Sequence, residues 1–240
     1  MIAHPARHQP QKHAHLRHPA AGETTLYLVR HGRTASNVQR LLHGITDIPL
    51  DPYGLNQANL VAHRIAEGPP VDAILTSPLS RALTTARIIG ERIGLEPIAI
   101  PELIEMDFGE LEGSTIEQLL EMHPDLAERL FDLDDLDLTW PNGESRRGFD
   151  DRVLAAFLGI LETYANHSVV VVAHGGVIGT LLNRIQGRSP ADPAAFDVLN
   201  CSVTHVHVSR DATTLHLRND VVHLENLVEI IEDELDDQCV

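Results

Sequence analysis

Two short apolar runs, far apart in the chain, end in the same way. Leu26–Val29 leads into Arg30-His31-Gly32, and Val169–Ala173 leads into His174-Gly175-Gly176. An unbroken apolar run of four or five residues suits a strand buried on both faces, as in a parallel sheet covered by helices. In open α/β sheets ligands sit beyond the carboxyl ends of such strands. Each run therefore delivers an imidazole to the place where a ligand is expected. Gly32 permits a sharp reversal and close approach of the backbone. Thr34 and Asn37 follow with a hydroxyl and an amide, both able to bond an oxyanion.

The rest of the pattern alternates in the same α/β sense. A turn at Asp51-Pro52-Tyr53-Gly54 opens a helix to Ile65, and Gly68-Pro69-Pro70 stops it. Ala73-Ile74-Leu75 is a second short strand. It ends at Thr76-Ser77-Pro78-Leu79-Ser80-Arg81, and a helix over 82–93 follows, with Ser77 or Ser80 as its cap. Arg81 stands in the first turn of that helix, where backbone amides already favour an anion. A cation there is out of place for the helix alone and points to a bound anion, a surface arginine being the alternative. Pro97–Ile100 reads as a third strand, Ser114 and Glu117 as a capping box, Met122–Leu138 as an acidic helical segment, and a long helix runs to Tyr164. Ser202–Ser209 and Thr213–Leu217 read as a hairpin at a sheet edge, with His205, His207 and His216 as strand-surface residues rather than metal ligands. Residues 1–22 are rich in His, Pro and Gln and lack periodicity. They are expected to be a disordered extension, a metal-binding tail through His4, His8, His13, His15 and His18 being the lesser alternative. One domain over 23–232 and an acidic tail over 233–240 complete the expected organisation.

Charge narrows the partners. The net charge of −17 disfavours nucleic acid and anionic membranes. Much of it lies in two blocks, Asp132–Asp137 and Glu225–Asp237, which read as solvated surface. No apolar run reaches membrane-spanning length. Cys201 and Cys239 read as free thiols, which places the protein in the cytoplasm.

At the expected strand ends stand Arg30, His31, Asn37, Arg81, Glu105 and His174. Guanidinium forks hold phosphate oxygens, a neutral imidazole can carry a phosphoryl group, and a carboxylic acid can protonate a departing alkoxide. The set suits phosphoryl transfer. There is no Walker loop and no clear carboxylate set for a metal, so the expected chemistry uses neither metal nor other cofactor.

These residues lie in motifs that resemble the histidine phosphatase superfamily, also called phosphoglycerate mutase-like. The motifs are Arg30-His31-Gly32-x-Thr34-x-x-Asn37, His43-Gly44 with Asp47-x-Pro49-Leu50 and Gly54-x-x-Gln57-Ala58, Thr76-Ser77-Pro78-x-x-Arg81-Ala82-x-x-Thr85-Ala86, Glu105-x-x-x-Gly109-x-x-Glu112-Gly113, Gly143-Glu144-Ser145 and His174-Gly175-Gly176. The resemblance implies a three-layer α/β sandwich: a mixed, mostly parallel six-stranded sheet with helices on both faces and a helical roof over about 103–145. It implies that His31 becomes phosphohistidine with its other ring nitrogen bonded to a backbone carbonyl. Arg30, Arg81 and His174 would cradle the phosphoryl group with Asn37 and Gly175 assisting, and Glu105 would be the acid and base. Glu112 and Glu144 are read as structural partners, and His43 and His223 as loop or rim residues. The implied reaction is hydrolysis of small phosphorylated metabolites, releasing inorganic phosphate. The alternatives are a cofactor-dependent phosphoglycerate mutase and a non-catalytic phosphate-ligand sensor. Between Glu121 and Leu138 only Arg129 is available to hold a substrate carboxylate, which favours the phosphatase. Oligomeric state stays open, a homodimer being one option.

Overall fold

The computed structural model describes residues 11–13, 16–19, 22–193, 196–225 and 227. Seven strands form one sheet: β1 (Gln11–His13), β2 (Glu23–Arg30), β3 (Ala73–Thr76), β4 (Ile98–Ala99), β5 (Ser168–Ala173), β6 (Val203–Ser209) and β7 (Thr213–Asp220), in the order β1-β7-β6-β2-β5-β3-β4. The pairs β2/β5, β5/β3 and β3/β4 are parallel; β6 joins β2, and β7 joins β6, antiparallel.

The unbroken apolar runs are explained by what lies on each side of them. Leu26, Leu28, Val169 and Val171 face α6 (Arg146–Thr163) and α7 (Gly175–Gln186) through Phe149, Val153, Phe157, Val177 and Leu181. Val29, Val170 and Val172 face α2 (Pro52–Glu67) and α3 (Ser80–Ile93) through Ala58, Val61, Ala86 and Ile89. Every residue of Val169–Val172 is fully buried. Each valine so buried contributes about 1.5–3 kcal/mol relative to exposure.

The sheet has seven strands where six are expected, and the added strand lies in the segment expected to be disordered. Gln11, Lys12 and His13 pair antiparallel with Leu215, Thr214 and Thr213. Three polar residues in a row carry no hydrophobic signature. The chain then buries Leu16 and His18; the Thr213 hydroxyl donates to the Leu16 carbonyl at 2.6 Å. The β6–β7 hairpin is therefore not at the edge. His4, His8 and His15, the acidic residues from Glu229 onward and Cys239 lie outside the described residues.

Three helix ends also differ from expectation. The N-cap of α3 is Leu79, with no side-chain cap. Asp47, from a facing loop, accepts the Ser80 N–H at 2.8 Å instead, so the anion complementing this N-terminus comes from distant sequence. The capping box belongs to Thr115 and Gln118, one residue past Ser114 and Glu117, and opens α4 (Ile116–Met122). The acidic segment is helical only as far as α5 (Pro124–Leu130); residues 132–137 are turns. Leu111, Leu119, Leu126, Leu138 and Trp140 give this roof its own small core. Ser145 caps α6 by accepting from the Gly148 N–H at 3.0 Å.

Candidate active site

Register does most of the assembly. Arg30 is the partner of Ala173 across β2 and β5, and the His31 N–H donates to the Ala173 carbonyl at 3.0 Å. His31 and His174 thus leave the sheet side by side, their ring centroids 5.1 Å apart at 60°. His31 is 2% exposed and His174 is fully buried.

The two imidazoles are held in opposite tautomers. His31 Nδ1–H donates to the Gly32 carbonyl at 2.7 Å, which leaves the lone pair on Nε2. Arg81 Nε–H donates to His174 Nδ1 at 3.3 Å, so His174 carries its proton on Nε2 and donates to Ser77 Oγ at 2.8 Å. Burial pulls both imidazoles well below the ordinary value of 6.5. For His31, the neighbouring His174, Arg30 and Arg81 lower it further; for His174, Arg81 and Arg30 do so. Both rings are neutral at pH 7, the form in which imidazole is nucleophilic.

Two guanidinium groups supply positive charge. Arg81, buried in the first turn of α3, also donates to the Gly44 carbonyl at 2.7 Å and the Thr46 carbonyl at 2.9 Å. Arg30 donates from Nη1 to the Val198 carbonyl, while its Nε is buried without a hydrogen-bond partner among the described residues. A buried guanidinium N–H left unpaired costs free energy until an acceptor reaches it. Desolvation lowers both arginines from their ordinary value, yet arginine keeps its charge at neutral pH. The N-terminus of α7 opens at Gly175, against the Arg30 guanidinium. An acidic chain therefore contains a local anion site.

Glu105 closes the ring. Its carboxylate accepts the Met106 N–H at 2.9 Å and the Gly176 N–H at 2.8 Å. A β-carbon at position 176 would stand 2.3 Å from Glu105 Oε1, and one at position 32 would stand 2.4 Å from the Gly54 carbonyl oxygen. Both glycines are there because something else occupies the space of a side chain.

All the expected site residues meet here, in unequal roles. Asn37 lines the cavity, but its Oδ1 accepts from Thr34 N–H, Thr34 Oγ1–H and Asn200, so it also caps the short helix α1 (Ala35–Gln39). His43 reaches the cavity, 6.2 Å from the His31 ring. His223 does not. It is partly buried and donates to the Cys201 carbonyl at 3.0 Å. Glu112 accepts backbone N–H groups from Ile45 and Thr46, and Glu144 pairs with Arg152 at 2.7 Å, both structural as expected. His205 stacks between Tyr27 and His216, and among the described residues no group of three or more His, Cys, Asp or Glu could hold a metal. Sequence reasoning missed Asn200, whose amide donates to the His31 carbonyl at 2.9 Å. It precedes a strand and carries no motif signal.

A nucleophilic neutral imidazole, two arginines, a helix N-terminus and a carboxylate around one buried point define a phosphoryl-transfer class of site. Residues 26–221 match the family described as the histidine phosphatase superfamily (branch 1), and the chain belongs to that family. It is 30% identical over 205 residues to the uncharacterized phosphatase PhoE of Bacillus subtilis, covering 85% of this chain and 99% of that protein. It is 33% identical over 206 residues to phosphoglycerate mutase-like protein 4 of Arabidopsis thaliana, covering 83% and 86%. Among solved structures, phosphoserine phosphatase of Entamoeba histolytica with 3-phosphoglyceric acid superposes with a TM-score of 0.74 at 30% identity, covering 84% of this chain and 99% of that one.

Proposed function

We propose that the protein hydrolyses phosphate monoesters in two steps through His31. The observation that carries this reading is the His31 tautomer: Nδ1–H is fixed on the Gly32 carbonyl, and Nε2 is left with a lone pair beside two arginines. In the first step Nε2 attacks phosphorus, the N–P bond forms, and the P–O bond to the alcohol breaks. Glu105 gives its proton to the departing oxygen. In the second step Glu105 takes a proton from water, which attacks the phosphohistidine and releases inorganic phosphate. Arg30 meets the phosphoryl oxygens with its unpaired Nε–H, and the α7 amides at Gly175 add to the same field. Arg81 acts through charge and through its hold on His174. For His174 to donate to a phosphoryl oxygen, its Nε2–H has to leave Ser77. No step calls for a metal.

The roof favours hydrolysis over mutase chemistry. Arg129 is paired with Asp135 through two bonds of 2.6 and 3.1 Å, so the cation named for a substrate carboxylate is already engaged. The free thiol of buried Cys201 and the net charge support a cytoplasmic protein that avoids nucleic acid and membranes. No helix among the described residues is long and apolar enough to cross a membrane. The test is hydrolysis of p-nitrophenyl phosphate in the presence of a chelator, with acid-labile labelling of the protein on quenching. His31→Ala should abolish both. Binding without turnover would leave only a sensor, and primer-dependent interconversion of phosphoglycerates would make the protein a mutase.

A further inference from the structure

The phosphoryl site opens into a cavity of about 750 Å³, within the range of about 300–1,000 Å³ that encloses drug-sized ligands. Its far wall is apolar. Phe108 and Trp140 pack edge to face at 5.1 Å, and Trp140 Nε1–H is turned onto Met106 Sδ, which presents an aromatic surface without a free polar handle. Phe196 lines the cavity from the segment after α7.

Two charged side chains in this wall, Arg146 and Asp150, are committed elsewhere. The Arg146 guanidinium donates to the carbonyls of Leu130, Asp132 and Asp135, holding the turns of the roof. Asp150 is buried and takes both bonds from Arg184. Arg40 stands exposed at the rim. At the mouth, Ile116, Phe131 and Leu133 are left to water, Phe131 with 73% of its surface exposed. A contiguous apolar patch that continues a polar reaction site marks the part of a ligand that is itself apolar.

We propose that this cavity holds the apolar body of the substrate alcohol, so that the favoured substrates are phosphate monoesters of long-chain or ring-bearing alcohols rather than of short polyols and hydroxy acids. The proposal rests on the phosphatase reading. Released product leaves in two parts, an anion from the buried end and an apolar alcohol past Phe131.

The experiment measures kcat/KM for n-alkyl phosphates from propyl to hexyl, whose leaving groups are equally basic, beside glycerol 1-phosphate, 3-phosphoglycerate and p-nitrophenyl phosphate. Burial of each methylene should raise kcat/KM by up to about fourfold until the cavity is filled. Phe131→Ser should lower the ratio of hexyl phosphate to glycerol 1-phosphate by about fivefold or more, and Ile116→Ser is the second variant on the same rim. A flat alkyl series, or 3-phosphoglycerate outrunning hexyl phosphate, overturns the proposal while hydrolysis of p-nitrophenyl phosphate keeps the phosphatase reading. An unchanged ratio in both variants overturns the placement of the alcohol in this cavity. Failure to hydrolyse any of these esters overturns both.

Discussion

Arg81 Nε–H points at His174 Nδ1 from 3.3 Å, so a cation fixes the proton position of a neutral imidazole. The same guanidinium bonds the Gly44 and Thr46 carbonyls, which ties the 43–47 loop to the start of α3. Arg81→Lys keeps a charge but loses the fork. It should lower kcat/KM by about 10²–10³-fold, in the range for lost preorganised donors. It should also lower stability by about 1–3 kcal/mol through unsatisfied buried acceptors. Steady-state kinetics and urea unfolding check the two parts.

Stability should depend on pH through the buried histidines. His31, His174 and His43 are all held below 6.5 in the fold, chiefly by desolvation. Below pH 6.5 the unfolded chain takes up protons that the folded chain does not. The contribution is complete above 6.5 and lost as pH falls through the window beneath it. His31→Asn should flatten part of this slope in urea unfolding between pH 7.5 and 5. Inorganic phosphate should stabilise the wild type, by about 2.7 kcal/mol at one hundred times its Kd.

Glu105→Gln and Gly176→Ala should fail in the same way. The first removes the proton; the second places a methyl group 2.3 Å from Glu105 Oε1 and displaces the carboxylate. Both should slow hydrolysis of alkyl phosphates by about 10²-fold or more, as expected for loss of a general acid. In kcat/KM, which ends at formation of the phosphohistidine and so leaves out the base role, p-nitrophenyl phosphate, whose leaving group needs no proton, should lose far less. Equal losses on both substrates would assign Glu105 a positioning role instead.

Asn200→Ala should cost activity without unfolding the protein. Its amide donates to the His31 carbonyl at 2.9 Å and to Asn37 Oδ1 at 3.2 Å. Loss of two partly buried bonds is worth about 1–3 kcal/mol, read as lower Tm and about tenfold lower kcat. A shifted kcat with unchanged Tm would mark the pair as positioning the nucleophile alone.

What could be read in the sequence was what burial writes there. Leu26–Val29 and Val169–Ala173 announced central strands because both faces of each are covered, and the polar residues ending them announced the site. Arg81 was half legible: a cation in a helix's first turn is out of place, but a surface arginine fits the same pattern, and only its burial separates the two. Gln11–His13 was not legible, since three polar residues give no apolar pattern to read. The cap of α3 was missed because Asp47 reaches it from another loop. Asn200 was missed because its partners are a carbonyl and an amide more than 160 residues away. The opposed tautomers of His31 and His174 depend on three-dimensional partners and leave no trace in residue spacing.

The strand that carries the nucleophile is made early, yet both of its neighbours are made late. β2 ends at Arg30, whereas β5 begins at Ser168 and β6 at Val203. During synthesis β2 waits with two open edges until most of the chain has left the ribosome, and pairings of such long separation are slow to close. A chain released before residue 168 has the attacking imidazole and lacks its sheet neighbour, so incomplete translation products are inert towards phosphate esters and sticky towards one another.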